Sequence, residues 1–456
     1  MVKDIFDTQR SYFKEGNTRD YASRKRVLTD IKKMVIEEES RILQALKEDL
    51  NKSPQEAYTT EILPVMVELD YALKNLRSLM REKRCKGSLF SPMTSYSIKT
   101  EPKGQVLIVS PFNYPFQLSL VPIISAIAAG NTVIIKVSEL SVSVGKLLVE
   151  LLNSRFIPSL MYCTDVEPSE FSDLFELDYN HIFFTGSTRV GREIYKLGVK
   201  NLASVTLELG GKSPVVVHKS ANLKLAAKRI VWGKFLNAGQ TCIAPDYLLL
   251  DRAIGDEFLG YLVDEIKLQF AEALKDDTYV KIISERHFDR LVSLLEGAEV
   301  YYGGGSERLG LKFEPTIVKD VSIDSLLMKE EIFGPILPVM YFDIGTDIFD
   351  IVAKNPDPLA FYVFARDRVF EDCMVSLVPS GGCCINDVII HLLSVDAPFG
   401  GRGNSGIGRY HGAYGFKTFS HEKCVCRASG LFDMKLRYVR GNMPKIMSFL
   451  KKFKGW

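Results

Sequence analysis

Hydrophobic spacing changes character along the chain. Up to residue 80, apolar positions such as Val27, Ile31, Val35 and Ile42 recur at helical intervals among Lys, Arg and Glu, which predicts amphipathic helices. Residues 88–103 then bring Ser, Thr, Tyr and Pro in short alternation, the pattern of a hairpin or an extended arm. Beyond them short β-rich runs, Val106–Val109, Thr132–Ile135, His181–Phe184 and Pro214–Val217, alternate with helical stretches. That rhythm predicts an α/β protein with open, mostly parallel sheets. It resumes after Trp232, so two α/β lobes are expected. Gly303–Gly305 lacks a strand-turn-helix context and reads as a loop.

From Gln105 to Ile135 no residue is charged, long enough for the roughly 20 residues of a membrane span. Pro111, Pro115 and Pro122, with Asn113, Gln117, Asn131 and Thr132, interrupt it. A strand, a turn, a buried helix and a second strand account for the stretch better than a continuous spanning helix. The tail from Met434 to Trp456 carries seven Lys or Arg and no acid, with Ile446, Phe449, Leu450 and Phe453 on one helical face. It reads either as a segment packed on the body or on a second subunit, or as a helix making weak contact with an acidic membrane.

Composition narrows the classes. The 456 residues are 46% hydrophobic, enough for about two to three domains. With 58 basic and 56 acidic residues the net charge is +2, which gives no support to a nucleic-acid partner. The N-terminus has no apolar signal core, and the eight cysteines form no disulfide framework, so reduced thiols and a cytoplasmic setting are expected. Six scattered histidines and the Cys383-Cys384 pair offer no metal-ligand spacing, and no metal is expected.

Four segments carry chemistry. In Asn237-Ala-Gly-Gln-Thr-Cys242 the small residues before the cysteine let the backbone turn and expose the sulfur. A thiolate there is a strong nucleophile, and a buried inert thiol is the alternative. In Leu207-Glu-Leu-Gly-Gly-Lys212 the carboxyl of Glu208 sits among apolar neighbours, which suits a general base; a salt-bridged structural Glu is the alternative. Gly211-Lys212-Ser213 mimics the end of a phosphate-binding loop, but position 206 is Thr where that motif needs Gly. Pro111-Phe-Asn-Tyr-Pro115 follows a strand and holds Asn113, whose amide can donate to an oxyanion or simply shape a turn. Phe184-Thr-Gly-Ser-Thr-Arg-Val-Gly191 opens a helix after a strand, where glycine lets a phosphate approach; Lys136 and Glu139 can meet a ribose.

Together and in this order these segments resemble the aldehyde dehydrogenase superfamily, over about residues 5 to 430. Glu208 and Cys242 stand 34 positions apart, like that family's base and nucleophile. Gln240-Thr-Cys-Ile-Ala-Pro-Asp-Tyr247, Pro398-Phe-Gly-Gly-Arg-Gly-Asn-Ser-Gly406, Tyr410-His-Gly412 and Thr418-Phe-Ser-His421 look closest to the class 3 branch, which acts on fatty and aromatic aldehydes. The resemblance implies a Rossmann-type cofactor domain (1–83 and 105–208), an α/β catalytic domain (209–390), a small β bridging arm (84–104 and 391–430) and a basic tail (431–456). It implies a homodimer, an aldehyde substrate, and NAD or NADP as cofactor. Cys242 is the implied nucleophile, Glu208 the base, and Asn113 with the Cys242 N–H the oxyanion hole. The implied cofactor contacts are Lys136, Glu139, Gly186, Ser187, Thr188, Val190, Gly191, Glu331 and Phe333. Phe112 stands where the family usually has Trp. Arg189 places a cation in the cofactor loop, which favours NADP, whereas Glu139 repels a 2′-phosphate. Two rivals keep the fold: an enzyme that passes the acyl group to coenzyme A, which needs no water-activating base, and a non-catalytic protein, which needs neither Cys242 nor Glu208.

Overall fold

The computed structural model describes residues 2–87, 91, 93–165, 171–431, 448 and 451. Two sheets organise the main unit, Met1–Leu79 with Pro102–His421.

The first sheet has the order Gly406–Ile407, Ser204–Leu209, His181–Gly186, Gln105–Val109, Thr132–Lys136, Met161–Cys163. All its pairings are parallel except that of Gly406–Ile407 with Ser204–Leu209. Gln105–Val109 and Thr132–Lys136 are buried at every position, as strands covered on both faces must be. The chain runs outward from Gln105–Val109 to one edge, then returns to build the other side from His181–Gly186. The strand order therefore reverses between these two neighbours, and in such sheets ligands bind beyond the carboxyl ends at the reversal. The Asn113 turn, Lys136, Gly186 and Glu208 all stand at those carboxyl ends. Gln117–Ala129 is a wholly buried helix of 13 residues, too short to span a membrane, with Pro122 accommodated inside it. No described helix is long and apolar enough to cross one.

The second sheet has the order Val300–Tyr302, Thr316–Val318, Ile336–Phe342, Tyr247–Asp251, Pro214–Val217, Ala360–Phe364, Gly382–Ile385. Only the Val300–Tyr302 edge strand is antiparallel. Its core gathers Val216, Tyr247, Leu249, Ile336, Phe361 and Val363 with helix residues such as Phe288 and Leu291. Gly303 and Gly304 form the expected loop, both at positive φ.

The arm is smaller than the sequence suggests. Lys83–Cys85, Thr94–Pro102 and Ser420–Ala428 form a three-stranded sheet in a separate unit, Met80–Glu101 with Glu422–Trp456. Residues 391–419, expected in the arm, belong to the main unit instead. Gly406 lies so close to the Ser204–Leu209 strand that any side chain there would strike the Leu207 carbonyl, and glycine permits the pairing. The Gly412–Thr418 helix packs on Gln117–Ala129, with Gly415 against Ser125. The basic tail falls outside the described residues apart from Leu431, Ser448 and Lys451.

Candidate active site

Cys242 sits on a turn between the Leu223–Phe235 helix and the Tyr247–Asp251 strand. Asn237, Ala238 and Gly239 are successively left-handed, with φ of 53°, 50° and 72°. Non-glycine residues adopt this conformation at a cost of about 1–2 kcal/mol each, so the surroundings must hold it. Gln240 does much of that: its Nε2 donates to the carbonyls of Asn237 and Lys281, both at 3.1 Å, and its Oε1 accepts from the Ile283 N–H at 3.0 Å. The residues flanking Cys242 are pinned as well. Thr241 Oγ1 bonds the Tyr114 hydroxyl at 2.6 Å, and the Ile243 carbonyl accepts from the Tyr362 hydroxyl at 2.6 Å. Cys242 itself is half-buried. Burial raises its thiol pKa, and the charges of Glu331 and Glu208 add to the rise, while the N–H groups of Cys242 and Ile243 oppose it.

Glu208 is 3% exposed near the end of its strand, between Thr185 and Gly406. Neither carboxylate oxygen has a hydrogen-bond partner among the described residues. Desolvation alone pushes its pKa well above the usual carboxylate range. This is not the salt-bridged structural Glu of the alternative reading.

Glu331 approaches from the loop before Ile336–Phe342 and lies against Gly210, where a Cβ would strike its carboxylate. Burial, then the Asp246 charge, pushes its pKa up to about 8. Lys212, the residue that mimics a phosphate-binding lysine, pairs with Asp246 and donates to the carbonyls of Leu327 (2.8 Å) and Glu330 (3.0 Å). Asp246 in turn accepts from the Ile332 N–H at 3.0 Å. Lys212 is thus a structural clamp for the Glu331 loop. The Gly334 carbonyl of that loop occupies the space of a Gly239 side chain, so the loop bears directly on the Cys242 turn. Phe333, at φ 49°, stands edge-on to Phe112 at 5.7 Å.

Asn113 is 2% exposed, and its Nδ2 donates to the Gln240 carbonyl at 2.9 Å. One amide hydrogen remains for a ligand. Its carbonyl accepts from Lys52 Nζ at 3.1 Å and Asn237 Nδ2 at 3.0 Å. The two segments predicted to form the oxyanion hole are therefore bonded to each other. Lys52, Glu56 and Glu61, which hold this junction, carried no signal in the sequence; they lie in a polar stretch that reads as a solvated helix face.

The cofactor candidates divide. Lys136 Nζ bonds Glu139 Oε2 at 2.9 Å. Burial, the largest single influence, raises the Glu139 pKa, but the hydrogen bond from Lys136, the Glu139 backbone N–H and the Lys136 charge together outweigh it and leave the group below its usual value. Ser187 caps the Thr188–Lys200 helix by accepting from the Val190 N–H at 3.4 Å. Gly191 permits close packing of that helix on Leu209. Thr188 donates to the Asn404 carbonyl at 3.3 Å, and Arg189 is exposed. Of the apolar side chains around Cys242, Tyr114 and Ile243 are buried in the turn's own packing, and Phe112 packs against His287 and Phe333.

Residues 1–425 match the profile of the "Aldehyde dehydrogenase family". A 4,4'-diaponeurosporen-aldehyde dehydrogenase of Staphylococcus aureus is 40% identical over 456 residues, covering 99% of both chains. Aldehyde dehydrogenase family 3 member A2 of Rattus norvegicus is 39% identical, over 96% of this chain and 91% of its own. The solved substrate-bound state of Staphylococcus aureus AldH superposes with a TM-score of 0.96 at 38% identity, covering 99% of each chain. The chain belongs to the aldehyde dehydrogenase family. As a family member it is an NAD(P)-dependent oxidoreductase acting on aldehydes, with relatives in the class 3 branch. An NAD(P) cofactor fits the residues present: a Lys–Glu pair at the end of Thr132–Lys136, a capped helix N-terminus after Gly186, and the Glu331 carboxylate beside Gly210. No group of three or more potential metal ligands occurs among the described residues.

Proposed function

We propose that this aldehyde dehydrogenase works through Cys242, Glu208 and Asn113 and releases a free acid. The observation that carries the reading is the buried Glu208 carboxyl, unpartnered among the described residues and close enough to influence the Cys242 thiol. A structural carboxyl buried this deeply is normally paired; one left free is available to move a proton.

Cys242 Sγ bonds to the aldehyde carbon, and its proton passes to the Glu208 carboxylate. The carbonyl oxygen becomes an oxyanion, held by the free Asn113 amide hydrogen and the Cys242 N–H. NAD(P), when bound, supplies the acceptor for the hydride that leaves the same carbon, and a thioester on Cys242 remains. Glu208, having passed the first proton to solvent, then takes a proton from water, whose oxygen attacks the thioester. The carbon–sulfur bond breaks, and the acid and the thiol are released. Lys136 and Glu139 hold the adenosine ribose, Gly186, Ser187, Thr188, Val190 and Gly191 form the phosphate approach, and Glu331 with Phe333 holds the nicotinamide end.

Glu208 favours hydrolysis over transfer to coenzyme A. The aldehyde is medium- to long-chain aliphatic or aromatic: the Phe112–Phe333 pair beside the turn supports it, as do the class 3 relatives. The chain acts as a cytoplasmic homodimer. Eight free cysteines support the compartment, and the exposed edge strand Ser420–Ala428 supports pairing with a second copy.

Intact-mass and peptide mapping of Glu208→Gln after mixing with aldehyde and NAD tests these roles. An acyl group on Cys242 is expected to accumulate. No adduct, or one on another residue, contradicts the assignment.

A further inference from the structure

Beneath the Asn113 turn lies a buried charged cluster that the chemistry above does not use. Lys52 and Glu61 are both 0% exposed, with Nζ to Oε1 at 2.5 Å. Lys52 Nζ also donates to the Asn113 carbonyl at 3.1 Å and stands 4.1 Å from the centre of the Tyr114 ring. The second Glu61 oxygen accepts from the N–H groups of Phe116 (3.2 Å) and Gln117 (2.9 Å), opening a helix with no cap from its own Phe116. Glu61 lies on a π-helical turn, Tyr58–Ile62, a rare geometry found mostly where function requires it. Nearby, Glu56 accepts from the Asn237 N–H at 2.8 Å, in the left-handed run before Cys242.

Burying one ammonium and two carboxyls stabilises little, because desolvation offsets their attraction and apolar residues would serve as well. What charges and directional bonds add is orientation. Lys52 fixes the Asn113 carbonyl, Glu61 fixes the turn after it, and Glu56 fixes the turn that presents Cys242. We infer that Lys52, with Glu61 and Glu56, is a positioning element that sets the aim of the Asn113 amide and locks the oxyanion hole to the nucleophile turn. The inference rests on reading Asn113 as the oxyanion donor. Misplacement of such a donor by about 1 Å costs up to a hundred-fold in rate, so the cluster acts on kcat rather than on ligand binding.

The test compares Lys52→Met, Asn113→Ala and their double variant in the full chain. It measures kcat, aldehyde KM, NAD dissociation constant and unfolding midpoint. Lys52→Met is expected to lower kcat on the order of ten-fold or more, with KM and the NAD constant within about two-fold. The double variant is expected to be no slower than Asn113→Ala alone, since both changes remove the same aimed donor. If Lys52→Met does not fold, Glu61→Gln keeps the shape and an acceptor for Phe116 and Gln117 and carries the same comparison. An unchanged kcat with a lowered midpoint would reduce the cluster to a structural role. Losses that multiply in the double variant would place its effect elsewhere; either result overturns the inference while leaving Asn113→Ala impaired. Full kcat in Asn113→Ala overturns the oxyanion reading itself, and the positioning role with it.

Discussion

A carboxyl with no partner among the described residues is expensive inside a protein, and Glu208 is such a group. Its folded pKa is raised, so ionisation disfavours the native state, and stability is lost as pH climbs above the ordinary carboxylate range. Glu208→Gln removes that burden. The variant should melt about 2 °C higher than the wild type at pH 8, with the difference shrinking toward pH 5, where the native carboxyl keeps its proton. It should also lose steady-state turnover; calorimetry and cofactor reduction measured together check both. Cys242→Ala should abolish dehydrogenase turnover, and Asn113→Ala should slow it on the order of a hundred-fold, about 3 kcal/mol. Cys242 and Glu208 stand out in the sequence as candidates because their neighbours are informative: small residues before a cysteine, apolar residues around an acid. Lys52, Glu56 and Asp246 were not, because their roles depend on contacts such as Lys52 to Asn113, 61 positions away.

At the scale of elements, the active site is where turns from separate strands bear on one another. The Gly239–Gly334 contact is one such joint. Gly239→Ala adds both a left-handed strain and a collision with a carbonyl, at a cost of about 1–3 kcal/mol, and should reduce kcat as the turn shifts. Wild-type kcat with an unchanged melting temperature would show that the joint is slack. At the other end of the site, Glu139→Gln should raise the preference for NADP over NAD about ten-fold, through lost repulsion of a 2′-phosphate; competition kinetics with both cofactors measure it. Strands such as Pro214–Val217 were readable because parallel strands buried on both faces are apolar runs. Residues 391–419 were not, since the glycine-rich segment Pro398–Gly406 has no hydrophobic period and its place is set by close backbone approach.

The whole molecule brings a six-stranded and a seven-stranded sheet into one unit, with the arm as another. The edge strand Ser420–Ala428 should be covered in solution, so the protein should sediment at twice the chain mass, and a single-chain mass would contradict the homodimer. The alternation of strands and helices made the two-lobe α/β plan legible. The arm's true extent was not, because its strands Lys83–Cys85 and Ser420–Ala428 are mostly exposed and carry little apolar pattern. The central claim, oxidation to a free acid by hydrolysis, is tested most directly by mixing the protein with hexadecanal or benzaldehyde and NAD or NADP, without coenzyme A, and quantifying reduced cofactor and product together. Equal amounts of reduced cofactor and free carboxylic acid are the predicted result; no reduced cofactor until coenzyme A is added would contradict it.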